Sequence, residues 1–206
     1  MIHFKTFDDF LSNYNPQSSA IYFKGCKVGD VSKLKDAEDV FDLNFEDCTN
    51  IPLDHIQDFN KVWALRINNS SVNGEWESLV ESEIKDLVLE DMTLKNYCFL
   101  SNMNELNNLF LTNTNFNNLE NLPKNITALG LNGSQISFSD INFKLLNLDY
   151  LKLQNVQCES LDFLYNMPNI STLFLKGINK NIDLTPVKSL QLEFYESPSG
   201  ETQLFS

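Results

Sequence analysis

Apolar residues recur along this chain in a fixed template of eleven positions. The stretch from Ile84 to Leu94, IKDLVLEDMTL, carries them at the first, fourth, sixth, ninth and eleventh positions. The centre of that template, two apolar residues separated by one position, recurs at Ile21 and Phe23, Leu43 and Phe45, Leu65 and Ile67, Leu87 and Leu89, Leu109 and Leu111, Leu129 and Leu131, Leu151 and Leu153, Leu173 and Leu175, and Leu190 and Leu192. The first members of these nine pairs step by 22, 22, 22, 22, 20, 22, 22 and 17 residues.

Side chains alternate along an extended strand, so the two apolar residues of each pair point the same way. Nine such strands stacked side by side make a parallel sheet with one apolar face, and no single repeat can bury that face without its neighbours. The pattern therefore predicts an α/β solenoid: a parallel sheet on the concave side, and short helices or 3-10 turns on the convex side. The connecting segments have their own apolar rhythm, as in LENLPKN (Leu119, Leu122) and LDFLYNMPN (Leu161, Leu164, Met167), which predicts turns or short helices. LDHIQDFNKV and WESLVESEI read as true helical turns, and Pro123, in the 20-residue repeat, is expected to tighten the stack locally. Phe7, Phe10, Leu11 and Tyr14 fall at helical spacing behind Thr6, a candidate N-cap. The expected organisation is a helical cap over 1–17, a repeat domain over 18–196 and a tail over 197–206.

These residues make the chain similar to the leucine-rich-repeat superfamily, of the 22-residue bacterial or internalin-like type, from about Ser18 to Phe194. The ninth position departs from the usual asparagine. It holds Cys26, Cys48, Ser70, Met92, Thr114, Ser134, Val156, Ile178 and Tyr195, so the resemblance does not by itself fix the regularity of the turns or the curvature. The resemblance implies a fold and a protein-binding role. Small members without a leader act as inhibitors and adaptors, and include immunity proteins that neutralise bacterial toxins.

Charge narrows the class of partner. The 206 residues carry 15 Lys plus Arg against 28 Asp plus Glu, a formal charge of −13, which disfavours direct binding to nucleic acid or to an anionic membrane and favours a basic protein. The opening MIHFKTFDDFLSNYN has neither a basic leader nor an apolar run, which leads to the expectation of a cytoplasmic protein. Cys26, Cys48, Cys98 and Cys158 are widely spread and form no metal-binding pair, so reduced, buried thiols are expected.

With the paired apolar residues pointing inward, the residues before, between and after them face outward on the concave side. In the second and fourth repeats these are Asp42, Glu46, Asp47, Asp86, Glu90 and Asp91, with Arg66, Asn44, Asn68 and Asn69 among them, an acidic patch. Farther along they become Phe110, Tyr150, Lys152 and Phe174, with Ala128, Gly130 and Gly133 forming an expected shallow notch. Aromatic rings supply anchors at protein interfaces, and carboxylates steer a cationic partner. The bland alternative is that the carboxylates only solvate the solenoid and the rings pack on one another.

Motifs for chemistry are missing from the sequence. Its two histidines, His3 and His55, lie far apart, and there is no HExxH, GxSxG or phosphate-binding glycine loop. Cys48 precedes His55 by seven residues but falls in the buried ninth-position column, an inert setting for a thiol. Cys26 and Cys48 should lie one strand apart as a reduced pair. No dense loop of oxygen ligands suggests a cation, and no cofactor is implied. Trp63 sits at a strand edge, as rim or core, and Trp76 on the convex arc. The reading is of a non-enzymatic inhibitor of the immunity type, directed at a basic, nuclease-like toxin domain, with an adaptor or scaffold as the alternative.

Overall fold

The computed structural model describes residues 6, 19–29, 31, 40–59, 61–134, 136 and 147–205. Seven of the apolar pairs form the heart of a short strand, and the eighth places Leu173 in one that ends just before Leu175: β1 (Ala20–Lys24), β2 (Asp42–Glu46), β4 (Ala64–Asn68), β6 (Asp86–Glu90), β7 (Asn108–Thr112), β8 (Ala128–Asn132), β9 (Tyr150–Gln154) and β10 (Thr172–Phe174). Two further strands, β11 (Phe194–Glu196) and β12 (Thr202–Leu204), complete a ten-stranded sheet in the order β1-β2-β4-β6-β7-β8-β9-β10-β11-β12. All its neighbours are parallel except β11 and β12, which pair antiparallel. Register is strict: Ile21, Leu43, Leu65, Leu87, Leu109, Leu129, Leu151 and Leu173 stand side by side, all buried. Two short strands, β3 (Ile51–Pro52) and β5 (Val72–Asn73), pair where repeats two and three leave the main sheet.

The last repeat differs from the sequence reading. Tyr195 pairs with Leu173, so Tyr195 occupies the fourth-position slot and the final step is 22 residues, not 17. Leu190 and Leu192 belong to no strand. They are half-buried against the open end of the core, beside the 3-10 turn Thr185–Ser189, and this is why their spacing imitates a strand pair. What was expected to be a tail from residue 197 returns as β12, a hairpin strand over the last parallel strand. A cavity of about 570 Å³ remains at this end, lined by Leu184, Val187, Leu190, Leu192, Tyr195 and Phe205 among others.

The convex side is built from 3-10 turns at Leu53–Asp58, Trp76–Leu79, Cys98–Asn102, Leu119–Asn121, Asp162–Asn166 and Thr185–Ser189. The true helical turns expected for the early repeats are thus 3-10, and similar turns run into the late ones. Leu53, Ile56, Leu79, Phe99, Leu100, Phe163 and Leu164 drop from these turns into a continuous core. Stacked rings of Phe23 on Phe45 (centroids 5.2 Å apart) and Trp76 on Phe99 (5.3 Å) carry that core from one repeat to the next. Pro123 is buried behind the 3-10 turn of the 20-residue repeat. The cap expected on Phe7, Phe10, Leu11 and Tyr14 lies outside the described residues.

The turns, whose regularity the ninth position leaves open, are regular in the structure. The residue before each ninth position is Gly25, Asp47, Asn69, Asp91, Asn113, Gly133, Asn155 or Gly177, every one with φ between 42° and 74°. This left-handed conformation is one that only glycine, asparagine and aspartate adopt readily. A single conformational requirement one residue upstream therefore keeps the turns uniform while the ninth position varies. Behind it lies the ninth-position column, where the free thiols of Cys26 and Cys48 share a hydrogen bond at 3.7 Å, and the Cys48 backbone N–H donates to Ser70 Oγ at 2.9 Å.

Candidate protein-binding face

The concave sheet surface has three columns of outward side chains. The first runs Ala20, Asp42, Ala64, Asp86, Asn108, Ala128, Tyr150, Thr172 and Phe194; the second Tyr22, Asn44, Arg66, Val88, Phe110, Gly130, Lys152, Phe174 and Glu196; the third Lys24, Glu46, Asn68, Glu90, Thr112, Asn132 and Gln154. The structure brings Asp42, Asn44, Glu46, Arg66, Asn68, Asp86, Glu90, Phe110, Tyr150, Lys152 and Phe174 onto this one face, as the alternation predicts.

Asp47 and Asp91 are placed differently. Both are left-handed turn residues on the rim beyond the strands, with φ of 53° and 51°, and each carboxylate accepts from an asparagine on the next turn: Asn69 Nδ2 to Asp47 Oδ1 at 2.7 Å, Asn113 Nδ2 to Asp91 Oδ1 at 2.9 Å. Their backbone conformation and their bonds account for both aspartates as turn-forming residues.

Partners within the chain also temper the acidic patch. Glu46 accepts from Lys24 Nζ at 2.6 Å, Asp42 lies 3.7 Å from Arg66 Nε and accepts from Asn44 at 3.0 Å, and Asp86 accepts from Asn108. Glu90 is the exception among these carboxylates, making no side-chain hydrogen bond or ion pair among the described residues. Opposite charges this exposed attract one another weakly in water, so these pairs lower the field of the patch more than they stabilise the fold.

The aromatic half is more continuous than expected. Phe110 meets Tyr150 edge-on with centroids 5.8 Å apart, Tyr150 meets Phe174 at 5.4 Å, and Phe174 meets Phe194 at 4.7 Å. The notch expected at Gly130 is filled by a ring: a β-carbon there would stand 2.3 Å from Phe110 Cδ1. Lys152 Nζ lies 6.0 Å from the Phe174 centroid, and burial together with the Glu196 carboxylate pushes the Tyr150 phenol up. All four rings are half-buried. Phe194 was missed because the last repeat was read five residues early. Trp63, readable from the sequence as rim or core, is exposed at 44%, and its backbone N–H donates to the Phe41 carbonyl at 3.0 Å.

Nothing in the described residues assembles a reaction centre. No group of three His, Cys, Asp or Glu among them could hold a metal ion. Cys48 is buried with its thiol against Cys26 and the Glu46 carbonyl, where a nucleophile has no access. Cys98 departs from the expectation of buried thiols, since it is exposed on its 3-10 turn. No helix of the described residues is long and apolar enough to cross a membrane.

Stacked 22-residue units, each a parallel strand returning through a 3-10 turn, define a leucine-rich-repeat solenoid. Solved structures with this fold resemble the chain throughout. Internalin C2 of Listeria monocytogenes aligns with a TM-score of 0.68 and 17% identity over 86% of this chain and 79% of its own. Internalin F of the same bacterium gives 0.62 and 21% over 85% and 59%, and the leucine-rich-repeat domain of APL1B gives 0.62 and 15% over 95% and 58%. The chain thus spans under two thirds of the last two. No protein-family model matches the sequence, and no curated protein matches it.

Proposed function

We propose that this solenoid is a non-enzymatic protein-binding module whose concave face holds a basic partner. The observation that carries this reading is the uninterrupted run of four half-buried rings, Phe110, Tyr150, Phe174 and Phe194, with the unpaired carboxylate of Glu90 beside it. Rings that are already ordered against one another lose little freedom on binding and bury large apolar areas, which is how anchors at interfaces work. The formal charge of −13 draws a cationic protein toward the face. In its finer form the reading is an immunity-type inhibitor in the cytoplasm that covers the nucleic-acid groove of a basic, nuclease-like toxin domain. An acidic surface competes with phosphate for such a groove.

Internal pairing of Asp42, Glu46 and Asp86 favours a second reading, an adaptor that grips a neutral partner through the rings alone. Association kinetics separate the two. With the partner in hand, the inhibitor reading expects an association rate that falls steeply with ionic strength and a nuclease activity lost in the complex; salt-independent association with no change in partner activity supports the adaptor.

A further inference from the structure

The spacing of the concave anchors constrains the shape of what they hold. Glu90 is on β6, Phe110 on β7, Tyr150 on β9, Phe174 on β10 and Phe194 on β11, with the gap at β8 spanned by the Phe110 ring over Gly130. The four rings follow one another at centroid distances of 5.8, 5.4 and 4.7 Å from Phe110 to Phe194, stepping between the second and first columns, so the apolar stripe runs at most about 16 Å across the strands, with Glu90 one strand farther on. A partner must offer apolar side chains about every 5 Å along that line. An extended segment repeats one face only every ~7 Å, and one laid across the strands finds no backbone hydrogen bonds to make with them. An α-helix repeats one face every 5.4 Å, within about 1 Å of each of the three ring-to-ring distances.

We infer that the row from Glu90 to Phe194 is the seat of an amphipathic α-helix of about 14 residues in the basic partner. The inference rests on the protein-binding reading above. Apolar side chains one turn apart on the helix lie over Phe110, Tyr150, Phe174 and Phe194. A lysine or arginine at one end meets Glu90, and an acidic residue beside the apolar stripe meets Lys152. Glu196, on β11 directly beside Phe174, favours a second cation near the far end.

Selection from two displayed peptide libraries, one randomised on the face of a single stable helix and one of linear and hairpin-constrained peptides, tests the inference on the full chain. Binders are expected from the helical library, with apolar residues spaced one turn apart and Lys or Arg at one end. Their affinity should fall at least tenfold with Phe174→Ala or Phe194→Ala and a few-fold with Glu90→Gln. Circular dichroism of these half-exposed variants confirms that the solenoid is intact. Binders drawn only from the extended library, yet weakened by the ring variants, overturn the helix and leave the concave face standing. An empty helical selection also overturns the helix, and binders indifferent to every variant overturn both.

Discussion

Gly130 and Phe110 share one space: the hydrogen that glycine carries in place of a β-carbon is what lets the Phe110 ring lie across β8 toward Tyr150. Gly130 is in a strand without positive φ, so alanine suits its backbone and the conflict is purely with the ring. Gly130→Ala is expected to turn Phe110 away from Tyr150, to cost about 1 kcal/mol of stability, and to speed dissociation of a bound partner about tenfold. Loss of the nuclear Overhauser contacts between the two rings checks the first step directly.

Steering should depend on which carboxylate is free. Glu90→Gln is expected to slow association with a basic partner and flatten its salt dependence. Glu46→Gln, which leaves Lys24 unpaired, should have the smaller effect on association because Glu46 is already neutralised within the chain. Stopped-flow association at several ionic strengths distinguishes them.

The left-handed turns make a prediction about stability. Gly177 has φ of 74°, and a β-carbon on it would meet Asn155 Oδ1 at 2.3 Å, so Gly177→Ala is expected to cost about 1–2 kcal/mol. Asn113→Gly keeps the permitted conformation and loses only an exposed hydrogen bond to Asp91, so its cost should stay below about 1 kcal/mol. Urea denaturation of both variants gives the comparison.

Thiol chemistry follows burial. Burial, with Cys48 beside it, pushes the Cys26 thiol up to about 12, and burial pushes Cys158 up to about 11. In the native protein near neutral pH, a thiol reagent should modify Cys98 quickly and the other three only after denaturation. Both shifted groups are raised above the ordinary value of 9.0, so the stability they contribute is complete below pH 9 and is lost as pH rises toward 11 and 12. Thermal unfolding measured from pH 8 upward should show that decline.

Strand positions were legible from residue type alone because burial of two alternating side chains per repeat leaves little freedom: from Ile21 to Leu173 each paired residue lies where the 22- and 20-residue steps place it. The last repeat was not, since Leu190 and Leu192 cover the open end of the core and mimic the pattern that Tyr195 continues. The regularity of the turns is carried by the eighth position and not by the variable ninth: Gly, Asp and Asn there meet a backbone requirement. That same requirement moves Asp47 and Asp91 from the binding face to the rim. The filled notch and the pairing of Asp42, Glu46 and Asp86 depend on side-chain directions across strands, which a linear pattern does not carry.

The central claim is that the concave rings hold a basic protein partner. Its most direct test is affinity capture from the source cells at low and high salt, with the wild-type chain in parallel with a Phe110→Ala, Phe174→Ala, Phe194→Ala variant verified to be folded. The account predicts one basic protein retained by the wild type and missing from the variant, its recovery falling as salt rises. Equal recovery on both, or a partner held only through the convex turns, contradicts it.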